Sequence, residues 1–253
     1  MKTIGLAGDI CLHAIAAVAA MWGGLAMIDN VAAGQEASCP QPLVGATRLI
    51  VVTAADINAP GALLATYERS SADAPWTSVG GLREAVVGLK GLAWGGPWRH
   101  LARDGEPLKQ EGDRRSPAGI YRMGAPFGFE ASSDAGYLQL ATDQHICVED
   151  VRSDLYGQIV KRSAIAPGIK FDQMRAEPLY RTGLVVDYPA DRERKAGSCI
   201  FIHVWRKPGQ GTAGCVALEE TNVTELRAWA SAAPSAIAIL PAGAAERFPG
   251  CLP

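Results

Sequence analysis

Residues 199–218 read Cys199-Ile-Phe-Ile-His203-Val-Trp-Arg-Lys-Pro-Gly-Gln-Gly-Thr212-Ala-Gly-Cys215-Val-Ala-Leu218. The run Cys199–Val204 is apolar and contains β-branched and aromatic residues, which is typical of a strand, and a loop with Gly and Pro follows it. Two strands joined by such a loop would set His203 and Cys215 side by side at neighbouring strand ends. A thiol nucleophile needs this arrangement, because a free cysteine is mostly protonated at neutral pH and a neighbouring imidazolium favours the thiolate.

Other residues of this stretch are candidates for supporting roles. Gly214 would let a substrate approach the backbone closely, and the N–H groups of Gly214 and Cys215 could face a developing oxyanion. Thr212 is the nearest candidate to orient the histidine or the loop. Trp205 and Arg206 could line a substrate groove, and an exposed aromatic and a solvated charge are equally good interpretations of them.

Short apolar runs recur along the rest of the chain. The 28 Gly and 16 Pro residues disfavour long helices and coiled coils. The runs predict strands at Leu49–Thr53, Leu63–Tyr67, Ala85–Leu89, Ile120–Met123, Tyr137–Leu140, Leu184–Tyr188, Cys199–Val204 and Ala236–Leu240. One helix is predicted from a cap at Asn222 to Pro234, and a second around Ser153–Ser163. The expected fold is mainly β (α+β), a sandwich or barrel with one or two short helices.

The first 33 residues predict an export signal. Residues 10–28 contain no ionised side chain, and Val31-Ala32-Ala33 presents small residues where a signal peptidase reads. We expect cleavage after Ala33, a linker over residues 34–45 and a single domain over residues 46–253. The alternatives are an uncleaved membrane anchor and a buried N-terminal helix.

The cysteine count carries information about pairing. Removal of residues 1–33 leaves five cysteines, namely Cys39, Cys147, Cys199, Cys215 and Cys251. An odd set in an oxidising compartment predicts two disulfides and one free thiol. Spacing does not decide the pairing. Bonds of Cys147 with Cys199 and of Cys39 with Cys251 are hypotheses.

Composition excludes several classes of function. The 24 Lys and Arg residues face 26 Asp and Glu residues without a basic block, so the usual electrostatic basis for binding nucleic acid is missing. No Cys-x-x-Cys and no His pair at helical spacing occurs, so no metal site is predicted. His100 and His145 are interpreted as ordinary core or surface residues. Thiol-acyl chemistry needs no cofactor, and none is expected.

The stretch around His203 and Cys215 resembles the catalytic signature of the L,D-transpeptidase (YkuD-type) family, in which a histidine precedes a Ser/Thr-x-Gly-Cys motif. Upstream, Leu108-Lys-Gln-Glu-Gly-Asp-Arg-Arg-Ser-Pro-Ala-Gly-Ile-Tyr121 resembles the family's Gly-Asp-x-x-Thr-Pro-x-Gly segment, and Ala125-Pro-Phe-Gly-Phe129 continues it. Cys147-Val-Glu-Asp150, with the later Tyr156, resembles a segment of one secreted branch. These segments cover residues 108–230.

The resemblance implies a mixed β-sandwich catalytic domain, exported to the periplasm or cell envelope, whose partner is the stem peptide of peptidoglycan. Cys215 would attack the bond between the third and fourth residues of a tetrapeptide stem and form a thioester. His203 would accept the thiol proton. An amine of a second stem would then resolve the thioester in a cross-linking or anchoring step.

The chain departs from the family pattern in ways that keep alternatives open. Ala213 and Ala217 stand where the commoner motif has His and Arg, so Arg206 or Arg122 would have to replace the missing arginine. A carboxypeptidase or hydrolase that uses water as acceptor is one alternative, and a non-catalytic wall-binding domain is another. A papain-like fold is disfavoured, because there the cysteine precedes the histidine by a long interval.

Overall fold

The computed structural model describes residues 39–141 and 144–253, which contain mostly short strands and one α-helix. They belong to a unit that spans Ala37–Pro253. The predicted export signal, residues 1–33, lies outside the described residues. In the described part, the strands are β1 Arg48–Ala54, β2 Gly61–Glu68, β3 Thr77–Val86, β4 Leu92–Trp94, β5 Ser116–Gly128, β6 Leu138–Gln139, β7 His145–Val148, β8 Ile159–Lys161, β9 Phe171–Gln173, β10 Thr182–Asp187, β11 Phe201–Val204, β12 Val216–Leu218 and β13 Ser235–Pro241, and the α-helix is α1 Glu220–Ser231.

The main sheet closes on itself. Its strand order is β10-β11-β12-β3-β2-β1-β13-β5-β4, and β10 also pairs with β5, so eight strands form a ring. The pairs β1–β13 and β11–β12 are parallel, whereas β1–β2, β2–β3, β12–β3, β13–β5 and both pairings of β10 are antiparallel. The predicted mainly β class with mixed strand directions is confirmed. The main sheet is thus a closed ring and not two separate stacked sheets. Strands β7, β8 and β9 form a second sheet of three strands.

The core fills the ring and extends under α1. Strand β13 is buried from its second residue onward, because β1 and β5 flank it and the 3₁₀ segments Gln41–Leu43 and Ala244–Arg247 pack against it. On α1, Val223, Leu226 and Ala230 are buried. The predicted helix is confirmed, but its predicted cap at Asn222 is wrong. The helix begins three residues earlier, after Glu219, whose carboxylate accepts the backbone N–H of Asn222 at 3.3 Å.

The second predicted helix, Ser153–Ser163, is wrong. The segment forms turns, strand β8 and the start of a short 3₁₀ helix at Arg162–Ala164. Gly157 explains the break, because it adopts φ +79° and a Cβ there would lie 2.4 Å from the Cβ of Ala190. Strand β8 instead pairs with β7.

Both disulfide hypotheses are confirmed. Cys39 is bonded to Cys251 and Cys147 to Cys199, while Cys215 is a free, buried thiol. The described part of the predicted linker, residues 39–45, is therefore tied covalently to the domain, and Leu43 within it is buried in the core. In the described residues, no helix is long and apolar enough to cross a membrane.

Candidate active site

Strand pairing brings His203 and Cys215 to one face of the sheet. In the parallel pair β11–β12, Ile202 is opposite Val216 and His203 is opposite Ala217. Cys215 immediately precedes β12 and is therefore level with Phe201. Because alternate residues of a strand share a face, the side chains of Cys215 and His203 point the same way. They are diagonal neighbours on the two strands.

Both side chains line one cavity of about 330 Å³. Trp205 and Arg206, the two predicted substrate-binding residues, line it as well. The remaining lining residues are Glu177, Leu179, Tyr180, Gln210, Gly211, Thr212 and Ala213. The cavity thus brings together a thiol, an imidazole, aromatic rings and one side chain of each charge.

The hydrogen bonds of the two reactive groups go to the backbone. The Cys215 thiol donates to the carbonyl oxygen of Cys199 at 3.5 Å, and the N–H of Phe201 donates to the sulfur at 3.4 Å. Nδ1 of His203 lies 2.8 Å from the carbonyl oxygen of Val204. A carbonyl can only accept, so Nδ1 carries a proton, and Nε2 of the neutral ring is the basic nitrogen. The thiol and the imidazole line the same cavity, but in this structure the thiol proton is directed to the Cys199 carbonyl.

Burial keeps both groups uncharged. Removal from water lowers the pKa of His203 to about 4, and the hydrogen bond to Val204 and the charge of Glu177 oppose this only in part. Burial raises the pKa of the Cys215 thiol to about 12, against a smaller opposite effect of the Phe201 N–H. At pH 7 the pair is therefore a thiol and a neutral imidazole. The thiolate–imidazolium pair expected from sequence is not the resting state.

Two hydroxyl groups hold the carbonyl of the nucleophile. Thr212 Oγ1 donates to the Cys215 carbonyl oxygen at 2.6 Å, and the buried Ser116 hydroxyl donates to the same oxygen at 2.8 Å. The N–H of Gly214 donates to Thr212 Oγ1 at 3.0 Å. Thr212 therefore orients the loop. The Gly214 N–H is already used within this loop, which leaves the Cys215 N–H as the candidate oxyanion donor.

The upstream segment that resembles the family lies directly beneath this loop. A Cβ on Gly214 would lie 3.3 Å from the carbonyl oxygen of Arg115. The segment is itself fixed by Asp113, which accepts the ammonium of buried Lys109 at 2.5 Å and the N–H of Arg115 at 2.9 Å. The upstream segment and the loop before Cys215, which are far apart in sequence, are therefore in contact.

Three residues of the site escaped sequence reasoning. Tyr180 packs edge-to-face against His203, with ring centroids 5.2 Å apart, and its hydroxyl donates to Asp172 at 2.9 Å. Glu177 lines the cavity and accepts the N–H of Leu179 at 3.1 Å. All three lie in strand β9 or in the segment of two 3₁₀ turns that follows it, and no spacing rule connects them with a histidine more than twenty residues away.

Other sequence candidates lie elsewhere. Arg122 is exposed on β5 and donates to the carbonyl of Gln41, so it does not line the cavity, whereas Arg206 does. His100 is exposed, and His145 accepts the N–H of Ala141 at 3.2 Å outside the cavity.

Two solved structures are similar to this chain at low identity. Both are crystal structures of Pgp2, the helical cell shape determining protein of Campylobacter jejuni. A mutant form is 14% identical over 79% of this chain and 50% of its own, with a TM-score of 0.40. The other is 14% identical over 80% of this chain and 51% of its own, with a TM-score of 0.38. The present chain thus spans about half the length of these neighbours. No protein-family model and no curated protein sequence matches it.

Proposed function

We propose that this protein is an exported cysteine acyltransferase of the L,D-transpeptidase type that acts on peptidoglycan stem peptides. The observation that carries the proposal is the free thiol of Cys215, which shares a cavity with a histidine whose basic nitrogen is left available by the Val204 carbonyl. The motif order seen in sequence supports the choice of substrate. The two disulfides support an oxidising compartment such as the periplasm.

In the acylation step, the Cys215 sulfur attacks the carbonyl carbon of the third stem residue. The S–C bond forms and the C–N bond to the fourth residue breaks. The thiol proton passes to Nε2 of His203 and from there to the leaving amine. Because both groups are neutral at rest, the proton leaves sulfur as the new bond forms. Rotation of the thiol away from the Cys199 carbonyl brings that proton towards the imidazole.

The developing negative charge needs a donor close to the sulfur. The N–H of Cys215 fits this role, because the neighbouring Gly214 N–H is bonded to Thr212. The hydroxyls of Thr212 and Ser116 fix the peptide that follows the nucleophile and so keep the loop in one conformation.

The other side chains of the cavity suit a peptide end. Trp205 offers an apolar surface, and Arg206 can bind the terminal carboxylate of the leaving D-amino acid through two parallel hydrogen bonds. The Arg206 assignment replaces the arginine that the commoner motif carries two positions after the cysteine, where Ala217 is buried.

Intact-protein mass spectrometry with a disaccharide-tetrapeptide tests the proposal. The wild-type protein should gain one acyl group and release the fourth residue. Cys215→Ala should give no adduct, and His203→Ala should acylate at least about 100-fold more slowly, the usual effect of removing a general base. Addition of a second stem then separates a cross-linked dimer from a shortened tripeptide.

Exposed His100 provides the matched control, since His100→Ala removes an imidazole outside the cavity and should acylate like the wild type. An acyl adduct that persists in Cys215→Ala would contradict the proposal. So would the absence of any adduct and any released D-amino acid from folded wild-type protein.

A further inference from the structure

The small sheet β7–β8–β9 lies against the candidate site, and one cross-strand position in it is connected to both reactive groups. Cys147 on β7 is directly opposite Asp172 on β9. Side chains of directly opposed residues in an antiparallel pair lie on the same face of the sheet. Each of these two residues makes one strong connection to the main domain, and each connection leads to one of the two reactive groups.

The first connection leads to the nucleophile. Cys147 is bonded to Cys199, which adopts φ +55°, a conformation that residues other than glycine rarely take. The carbonyl oxygen of Cys199 accepts the thiol of Cys215 at 3.5 Å. Two residues later, Phe201 donates its N–H to the same sulfur at 3.4 Å. The disulfide therefore holds in place the backbone segment that surrounds the sulfur.

The second connection leads to the base. The carboxylate of Asp172 accepts the hydroxyl of Tyr180 at 2.9 Å. The ring of Tyr180 is buried, stands at 71° to the imidazole of His203 and contacts Phe201 in the same edge-to-face manner, with centroids 5.4 Å apart. The Asp172 hydrogen bond and the Phe201 contact thus hold the Tyr180 ring, which in turn restricts the imidazole on the side that it covers.

We infer that the cross-strand pair Cys147 and Asp172 is the positioning element of the site, in which the disulfide orients the Cys215 thiol and the Tyr180 hydrogen bond orients His203. This role rests on the proposed function for its catalytic consequence, but its geometric part holds for any chemistry at Cys215. Neither residue touches the cavity, so both act through their partners.

The role of the Cys147–Cys199 disulfide can be tested against a matched control, because the same chain has a second disulfide. Cys147→Ala/Cys199→Ala removes the bond next to the site, and Cys39→Ala/Cys251→Ala removes the bond between the ends of the domain. The first variant should acylate about 10- to 100-fold more slowly, the effect of a small misplacement of reacting groups. Its Cys215 should react at least about tenfold faster with iodoacetamide, because the thiol is no longer enclosed. The second variant should match the wild type in both assays once its folded state is verified by circular dichroism.

The Asp172 arm is tested by a double-mutant cycle. Asp172→Leu and Tyr180→Phe should each lower kcat with little change in KM, and the double variant should be no worse than the poorer single variant, because both remove the same hydrogen bond. Asp172→Asn keeps an acceptor for the Tyr180 hydroxyl and should restore most of the rate. A role in stability alone would leave kcat of the folded protein unchanged.

An independent readout keeps the inference separate from the proposed function. In Asp172→Leu, NMR titration of His203 should show its pKa rising from about 4 towards the ordinary value as the ring gains water. If wild-type protein is never acylated, the proposed function fails, while the iodoacetamide and NMR assays still decide the positioning role. Unchanged alkylation in Cys147→Ala/Cys199→Ala together with an unchanged His203 titration in Asp172→Leu would overturn the inference.

Discussion

At the scale of single residues, the thiol of Cys215 and the imidazole of His203 are both uncharged at rest. A thiol with a pKa near 12 and an imidazole with a pKa near 4 stay uncharged over the whole physiological range. Such a thiol is protected from the oxidants and alkylating compounds that attack thiolates. Under the proposed function, activation would depend on a substrate that brings its carbonyl carbon, the Cys215 sulfur and Nε2 of His203 together.

Burial of neutral His203 should make the domain acid-sensitive. The pKa is lower in the folded protein than in the unfolded chain, so the unfolded chain binds more protons between pH 4 and 6.5. Stability is therefore complete above pH 6.5 and is lost as the pH falls towards 4, by about 3 kcal/mol for this group. Urea unfolding of the wild type and of His203→Gln at pH 7 and pH 4.5 measures the difference. Equal pH slopes for the two proteins would refute the assignment.

Sequence alone predicted Cys215 as nucleophile and His203 as base, but it did not predict the residues that pack around them. Cys215 and His203 stand out because a strand, a Gly- and Pro-containing loop and a second strand form a local unit. Tyr180 precedes β10 and reaches His203 through the β10–β11 pairing, in which Gly183 is opposite His203, and Asp172 belongs to a different sheet. Contacts between separate sheets leave no periodic pattern in the chain.

At the scale of elements, the start of β5 supports the nucleophile loop. Ser116 is fully buried, accepts the N–H of Gly88 at 2.8 Å and donates to the carbonyl of Cys215 at 2.8 Å. One hydroxyl thus joins β5, the segment after β3 and the loop before β12. The segment before it, from Lys109 to Arg115, is fixed by the Asp113 carboxylate.

The variant Ser116→Ala should show what this hydroxyl contributes to stability and to the acylation rate. Loss of the group leaves a buried N–H and weakens the hold on the Cys215 carbonyl, at a cost of about 1–3 kcal/mol in the free energy of unfolding. The acylation rate should fall as well, because the loop gains freedom. Chemical denaturation and single-turnover mass spectrometry measure the two effects. The control is Ser78→Ala on exposed β3, expected within about 0.5 kcal/mol of the wild type, and an equal effect at both positions would contradict this account.

Elements with clear apolar runs could be predicted, and exposed ones could not. The predicted run Leu49–Thr53 falls within β1 and Ala236–Leu240 within β13. Strand β3 was placed too late, at Ala85–Leu89, because its first eight residues are exposed or half-buried and include two glycines. Its pairing with β2 explains why these polar residues are extended.

At the scale of the whole molecule, the closed ring and the two disulfides constrain different parts of the chain. The ring joins strands distant in sequence, since β1 pairs with β13 and β10 with β5. Cys39–Cys251 links positions 212 residues apart, whereas Cys147–Cys199 links positions 52 apart. One bond constrains nearly the entire described domain, and the other constrains the neighbourhood of the site.

Loss of the longer link should cost the most stability. Loop-closure entropy predicts a decrease of about 5 kcal/mol in the free energy of unfolding for Cys39→Ala/Cys251→Ala, and about 4 kcal/mol for Cys147→Ala/Cys199→Ala. The order of the stability effects is thus opposite to the order expected for acylation. Denaturant unfolding under non-reducing conditions measures both, and a loss below about 1 kcal/mol from the first variant would contradict the prediction.

The Cys39–Cys251 bond also has a mechanical consequence. Cys39 precedes the first strand of the ring and Cys251 follows the last one, so the chain between them is a covalent loop. A tensile load that enters the domain at Cys39 and leaves at Cys251 passes through the two sulfur atoms. Such a load bypasses the hydrogen bonds of the ring. The ring therefore keeps its shape under the load.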